Sequence, residues 1–321
     1  MARPSVPWKD NGGPPVVAFG GNALLPDSGD PDGAAARAAE FAEAVLSLMP
    51  DDIGMVLVHG NGPQVGASLL RVEAARDEVP MSPLDVLVAE TQGSIGYLLS
   101  RSLQNALSGN GMKVAVATVV TQVVVDPNDP AMQNPTKPIG PFYDPSEAKA
   151  LETERGWRLV EVAGKGVRRV VASPPPIDVV EIDTVRQAAA KGRLVISGGG
   201  GGIPVERAAD GTLRGVEAVI DKDRTAALIA RSLDARGFVI LTEVAHASTA
   251  FGTRHERPLY EMTAAQALGL LASGEFPPGS MGPKIESCIA YAGATRRPAL
   301  ITSVAGLPGA LAREDGTWIL P

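Results

Sequence analysis

The chain of 321 residues contains a single cysteine, Cys288, so it can form no intrachain disulfide and no cluster of thiolate metal ligands. Ile285, Cys288, Ile289 and Ala292 repeat at helical spacing, which assigns the thiol to packing. Histidine is almost as scarce. His59, His246 and His255 stand in separate segments without metal-ligand spacing, which argues against a zinc site, and His59 is expected to anchor the glycine turn that it precedes. Positive charge is in deficit: 29 Lys and Arg against 36 Asp and Glu give a formal net charge of −7, which offers no reason to approach nucleic acid or an anionic membrane. Any affinity for phosphate must therefore come from local lysines and backbone amides. No apolar run approaches the roughly 20 residues needed to span a bilayer. The start Met1-Ala2-Arg3-Pro4 lacks the apolar core of a secretory signal, so a cytoplasmic location is expected. No Gly-x-x-x-x-Gly-Lys-Ser/Thr sequence occurs either, which disfavours a P-loop ATPase.

The length suits one large α/β domain with an insertion, or two modest domains. Residues 1–14 are rich in proline and glycine without apolar periodicity, and are expected to be a mobile tail. From Pro15 onward short apolar runs alternate with amphipathic stretches. The runs are Val16 to Phe19, Met55 to Val58, Val114 to Val125, Leu194 to Ser197, Phe238 to Thr242 and Ala299 to Ser303. Helices are expected across 34–48, 84–106, 183–190, 225–233 and 264–273. That alternation indicates a mainly parallel sheet covered on both faces. Residues 126–172 differ, with prolines crowded at their start, and read as an inserted subdomain. The stretch 243–258 reads as an irregular loop.

The densest signal is Val219-Ile220-Asp221-Lys222-Asp223, a lysine between two carboxylates at a strand-to-helix junction. Sixty-two residues on, Gly279-Ser280-Met281-Gly282-Pro283-Lys284 places a second lysine at the start of another helix, with Pro283 suited to its first turn. Three glycine turns follow apolar runs: Gly20-Gly21-Asn22, Gly60-Asn61-Gly62-Pro63-Gln64 and Gly198 to Gly202. Bare amides in such turns, helix N-termini behind them, and the amides of Asn61 and Gln64 can hold phosphate or carboxylate. Lys222 and Lys284 can place charge on a transferring phosphoryl group, while Asp221 and Asp223 can orient the lysines or meet Mg²⁺ directly or through water. Taken singly, each turn also fits a plain strand-to-helix connection, the five glycines fit a linker, and the charged run fits a solvated salt-bridge cluster. The loose Gly60-x-Gly62-x-x-x-Gly66 spacing leaves nicotinamide binding as a minor reading.

Together these strings resemble the carbamate kinases of the amino acid kinase superfamily. The resemblance rests on Gly20 to Leu25, HGNGPQVG at 59–66, Pro83 to Val86, Gln92-Gly93, Ile95 to Tyr97 and NPTKPIGPFY at 134–143. It continues through Arg168-Arg169-Val170-Val171, GGGGIPV at 199–205, AVIDKD at 218–223 and GEFPPGSMGPKIE at 274–286. It implies an open αβα sandwich with a mainly parallel central sheet, a small protruding lid formed by the insertion, and a homodimer. It also implies reversible phosphoryl transfer between Mg-ATP or Mg-ADP and carbamate or carbamoyl phosphate. By the same resemblance Lys137, Lys222 and Lys284 contact the reacting groups and Asp223 organises the lysines. The turns Gly20, Gly21, Asn22 and Gly60, Asn61, Gly62 cradle the acid substrate. Gly200, Gly201, Asp221, Thr242, Val244, Gly279, Ser280, Met281 and Gly282 are expected to meet the nucleotide. Mg²⁺ is expected mainly on the nucleotide phosphates, with no protein ligand assigned.

The chain departs from the family pattern in places. Thr242-Glu243-Val244-Ala245, then Ser248 and Ala250-Phe251, stand where the family reads threonine-x-valine-aspartate, an aromatic and an asparagine-aromatic pair. Val162 replaces an acidic residue, and Gly198 a serine, alanine or cysteine. Weaker or less selective nucleotide binding is the expected consequence. A kinase acting on another small carboxylate, and a nucleotide or metabolite sensor without turnover, are the two alternatives.

Overall fold

Short runs rich in Val, Ile and Leu become strands buried on both faces, as a sheet covered by helices on each side requires. The computed structural model describes residues 12–20, 31–162, 166–277 and 279–321. The chain starts with β1 (Val16–Phe19), α1 (Pro31–Ser47), β2 (Met55–His59), α2 (Gly62–Ala74), α3 (Leu84–Gly109), β3 (Val116–Thr118) and β4 (Gln122–Val124). Then come α4 (Pro130–Gln133), β5 (Lys137–Tyr143), α5 (Ala148–Arg155), β6 (Arg158–Val162), β7 (Gly166–Val171), β8 (Asp178–Val179), α6 (Ile182–Ala190) and β9 (Leu194–Ile196). Next are β10 (Ile203–Arg207), β11 (Leu213–Gly215), α7 (Lys222–Ser232), β12 (Phe238–Thr242), β13 (Ala247–Thr249) and β14 (Arg257–Leu259). The last elements are β15 (Glu261–Thr263), α8 (Ala264–Ala272), α9 (Met281–Thr295), β16 (Ala299–Ser303), α10 (Leu307–Leu311) and β17 (Thr317–Leu320).

The main sheet has the order β15-β17-β16-β12-β1-β2-β9-β3, parallel except where β17 meets β16. Alternate side chains enter opposite cores. Val16, Ala18, Val56 and Val58 pack with Ile229 of α7 and with Ile285, Cys288 and Tyr291 of α9. Val17, Phe19, Met55 and Leu57 pack with Phe41 of α1 and with Leu99 and Leu103 of α3. The architecture is an αβα sandwich with a mainly parallel sheet, and Cys288 lies fully buried in one of its cores. Each fully buried Val or Leu contributes about 1.5–3 kcal/mol, and disproportionately many sit on the central strands.

Two local expectations change. The run Val114 to Val125 is not one strand: β3 ends the main sheet, and β4 joins a second sheet of order β11-β10-β4-β8. No glycine or proline marks the break. The side chain of Gln92 accepts a hydrogen bond from the Thr121 amide at 2.7 Å and donates to the Thr121 carbonyl at 3.1 Å, so a contact 29 residues away turns the chain. The stretch 243–258 is also more ordered than its composition suggests, since β13 and β14 pair antiparallel within it. Ser248 is buried in that hairpin opposite Pro258, away from the cleft described below, so its replacement of an aromatic does not strip a surface from that cleft.

Within 126–172, β5, β7 and β6 form a separate antiparallel sheet. Trp157 lies between two guanidinium groups, 4.9 Å from Arg155 and 4.7 Å from Arg169. These same arginines reach out of the small sheet: Arg155 pairs with Glu73 of α2, and Arg169 with Glu217 at 2.9 Å. The tail residues 1–11 lie outside the described residues.

Candidate active site

A cavity of about 770 Å³ opens beyond the carboxyl ends of the central strands. Gly20 follows β1, Gly60 follows β2, and Thr242 and Ser303 end β12 and β16; all four line it. The strand order reverses at β1, with β2 on one side and β12 on the other, and such a switch point leaves a crevice between diverging connections. The helices α2, α7 and α9 all begin at this opening. Neither Asn61 at the start of α2 nor Ser280 at the start of α9 caps its helix with its side chain, but Pro63 and Pro283 carry no amide N–H and the Gly282 amide donates to the Pro277 carbonyl at 3.0 Å, so only part of each first turn is left to an anion.

Two carboxylates organise three ammonium groups here. Asp223, 3% exposed, accepts from Lys222 Nζ at 2.9 Å through one oxygen and from Lys284 Nζ at 3.1 Å through the other. Arg224 binds Glu286 through two nitrogens at 3.1 and 2.7 Å, tying the first turn of α7 to α9 and holding the two lysines together. Asp221 caps α7 by accepting from the Asp223 amide at 2.9 Å, and its second oxygen meets Lys137 Nζ at 3.0 Å. Burial alone would raise the Asp221 carboxyl, but Lys137 and Lys222 outweigh it and, with hydrogen bonds from Lys137 and the Asp223 amide, hold it down to about 2. It is therefore ionised at neutral pH.

The glycine run is a fitted floor rather than a linker. Gly198, Gly200, Gly201 and Gly202 all have positive φ, and Gly199 to Gly201 are buried. A Cβ on Gly200 would lie 2.2 Å from the side-chain nitrogen of Asn61, and one on Gly201 would lie 2.1 Å from the Ile220 carbonyl. The floor is pinned from three sides. Gln92 donates to the Gly199 carbonyl at 2.9 Å, Thr225 to the Gly201 carbonyl at 2.7 Å, and the Gly198 amide to Thr121 Oγ1 at 3.0 Å. Gln92, Thr121 and Thr225 were not foreseen as site supports. Only Gln92 stood in a string that could have pointed to one.

Of the residues singled out in the sequence, Lys137, Lys222, Lys284, Asp221, Asp223, Gly20, Gly60, Asn61, Gly62, Gly200, Thr242, Gly279 and Ser280 line the one cavity. Gly21 and Asn22 lie outside the described residues. Gln64, Gly201, Val244, Met281 and Gly282 are not on its wall. Gln64 Oε1 is buried without a hydrogen-bond partner among the described residues, and Gly282 packs toward the Pro277 carbonyl, which is 3.0 Å from where its Cβ would lie. Asn61 does less for a ligand than its type suggested, because its amide nitrogen donates to Thr91 Oγ1 at 2.9 Å and braces Gly200. The cavity also gains Arg168, Ser303, Val304 and Ala305, none of which was assigned to it from sequence.

His59 is 1% exposed at the end of β2, and its Nδ1–H donates to the Gly60 carbonyl at 3.0 Å. Burial pushes the imidazole down from 6.5 to about 4, against the smaller upward pull of that hydrogen bond. The unfolded chain then binds a proton at a pH where the folded chain does not. Stability is full above about 6.5 and falls as pH drops toward 4, by about 3 kcal/mol for this group. Urea unfolding at pH 7 and at pH 4.5 should expose this slope, and His59→Gln should flatten it. An unchanged slope in the variant would assign the acid sensitivity elsewhere.

Residues 14–303 match the amino acid kinase family. The carbamate kinase of Pyrococcus furiosus is 41% identical over 310 residues, covering 95% of this chain and 98% of that one. The carbamate kinase-like protein YahI of Escherichia coli is 43% identical, with 95% and 98% covered. The structure of carbamate kinase from Giardia lamblia bound to AMP-PNP superposes with a TM-score of 0.88 at 39% identity, covering 96% of this chain and 98% of that one. This chain belongs to the amino acid kinase family, in the group formed by carbamate kinases and carbamate-kinase-like proteins.

Proposed function

We propose that the protein is a carbamate kinase, moving a phosphoryl group reversibly between carbamoyl phosphate and Mg-ADP to give carbamate and Mg-ATP. The observation that carries this reading is the convergence of Lys222 and Lys284 on Asp223 at the carboxyl ends of the central strands. In the ATP-forming direction an oxygen of the ADP β-phosphate attacks phosphorus. The bond from phosphorus to the carbamate oxygen breaks, and that oxygen leaves with the electron pair. Both the entering and the leaving oxygens are anionic at neutral pH, so no general base is needed, and the work left is alignment and charge stabilisation. Lys222 and Lys284 supply compact positive charge to the transferring group. Asp223 holds them apart and aimed. The turns at Gly20, Gly60 and Gly62 take the acid substrate, and Gly200, Thr242, Gly279 and Ser280 the nucleotide.

Mg²⁺ would be held mainly by the nucleotide phosphates and would supply charge to them. Asp221 and Asp223, the carboxylates nearest the phosphoryl site, are each engaged by lysines, which suits a metal carried by its substrate. No helix among the described residues is long and apolar enough to cross a membrane. A cytoplasmic location and a homodimer complete the proposal; light scattering at micromolar concentration checks the second.

The test of the reading is substrate choice. ATP formation from Mg-ADP should be at least about tenfold faster per kcat/KM with carbamoyl phosphate than with acetyl phosphate. Preference for another acyl phosphate would reassign the acceptor, and nucleotide binding without turnover would favour a sensor.

Residues 126–172 act as a lid in this proposal, bringing Lys137 to the cleft and closing over bound substrate. Hydrogen exchange of that segment should slow on adding ADP and carbamoyl phosphate, and equal protection with and without them would remove the lid. Lys137→Ala should raise KM for the acid substrate and leave ADP affinity nearly intact.

Nucleotide affinity is expected to be modest. Ala245, whose Cβ would lie 3.3 Å from a Cβ on Gly306, offers no acceptor to a ribose hydroxyl where the family pattern reads aspartate. Ala245→Asp should tighten ADP binding by about 5- to 10-fold, the worth of one hydrogen bond. Calorimetric titration reads this directly, and no gain would place ribose recognition on other residues.

A further inference from the structure

Arg168 is a basic group on the cleft wall that phosphoryl transfer has not used. It sits in the Arg168-Arg169 pair on β7, where consecutive side chains point to opposite faces of the small sheet. Arg169 is occupied: it is buried, pairs with Glu217 at 2.9 Å and lies over Trp157. Arg169 stands opposite Ile139 and Arg168 opposite Phe142, with a bulge in β5 between them, and at that bulge Arg168 reaches the wall of the cavity that Lys137 and Ile139 also line. Its Nε donates to the Gly140 carbonyl at 2.9 Å, and its guanidinium carbon lies 5.3 Å from the centroid of the Phe142 ring. Its two terminal nitrogens make no hydrogen bond among the described residues, and no described carboxylate pairs with it.

A guanidinium held this way is fixed along one edge and open along the other. The Gly140 carbonyl and the Phe142 face set its plane, and the two terminal nitrogens present a rigid fork to the cavity. Burial works against the charge of Arg168, yet no acid among the described residues pairs with it. Lysines serve a transferring phosphoryl group as point charges, whereas a planar fork matches two oxygens of one anion. We infer that Arg168 binds the oxyanion of the acid substrate through its terminal nitrogens and thereby sets which small acids the cleft accepts. The inference rests on the carbamate kinase reading for the identity of that acid.

The test uses Arg168→Met and Arg168→Lys in the full chain, with initial rates of ATP formation and with calorimetric binding of carbamoyl phosphate in the absence of nucleotide. In Arg168→Met the KM for carbamoyl phosphate should rise on the order of 10- to 100-fold, the worth of a charge-assisted pair. The KM for ADP should stay within about twofold, and the unfolding temperature should be little changed. Arg168→Lys keeps the charge and loses the fork, so its KM should fall between wild type and Met. If Arg168→Met does not fold, the lysine variant decides, and a KM equal to wild type overturns the assignment. A parallel rise in the KM for ADP, or equal carbamoyl phosphate affinity in wild type and Met, would mean that Arg168 only braces Gly140 and Phe142. Wild-type protein that binds carbamoyl phosphate but forms no ATP would sink the carbamate kinase reading alone, and weaker binding by Arg168→Met would still uphold the arginine. Wild-type protein that does not bind carbamoyl phosphate overturns both.

Discussion

Lys222→Ala and Lys284→Ala should each lower kcat by at least about 10²-fold while the protein stays folded. Each ammonium is half of an arrangement around one buried carboxylate, at 2.9 and 3.1 Å, and neither is needed to build the core. Their charge matters most when the phosphoryl group is between its two oxygens, because that is where negative charge spreads over the group being transferred. The loss should therefore appear in kcat more than in KM. Lys222→Arg should fail substantially as well, since a longer planar group cannot take the place of a compact ammonium 2.9 Å from Asp223. Near-normal turnover at saturating substrate in any of these variants would remove that lysine from the chemistry.

Asp223→Asn should be damaging in a different way. The amide keeps the shape but leaves Lys222 and Lys284, each 14% exposed at the side chain, facing one another without the intervening charge. Breaking a buried ion pair by removing one partner costs about 3–5 kcal/mol, and here two partners lose the same carboxylate. A lowered unfolding midpoint is expected together with a fall in kcat on the order of 10²-fold, since the lysines lose their aim. Because a bound anion can replace part of the missing charge, millimolar phosphate should restore more stability to the variant than it adds to wild type. A variant as stable as wild type, with no extra response to phosphate, would show that the lysines do not depend on Asp223.

Much of the site was legible because its parts are local. Lys222 next to Asp223, Pro283 in the first turn before Lys284, and glycines directly after apolar runs each carry their meaning within a few residues. Their convergence follows once the runs are taken as parallel strands with their carboxyl ends together. What escaped depends on contacts between distant segments. Gly200 has to be glycine because of Asn61, 139 positions earlier, and nothing in either turn alone says so. The break at Thr121 has no glycine or proline and is made by Gln92. Asn61 and Gln64 carried the right chemistry for a ligand, but one is drawn off to Thr91 and the other stands half-buried off the cavity wall with its Oε1 turned inward. Ser248 stands where the family pattern reads an aromatic, yet its side chain is buried in a hairpin opposite Pro258 and away from the cleft. Of the adjacent Arg168 and Arg169, only the first lines the cavity, and alternation along β7 does not foretell this, because it depends on the bulge in β5 between Ile139 and Phe142 and on Glu217 taking Arg169.

The most direct measurement is ³¹P NMR of the wild-type protein with Mg-ADP and carbamoyl phosphate, run beside Lys222→Ala. The account predicts that the carbamoyl phosphate signal falls as the γ-phosphate signal of ATP rises one for one, and that this exchange is at least about 10²-fold slower in the variant. Loss of carbamoyl phosphate to inorganic phosphate alone, or transfer at the same rate without Lys222, would contradict it.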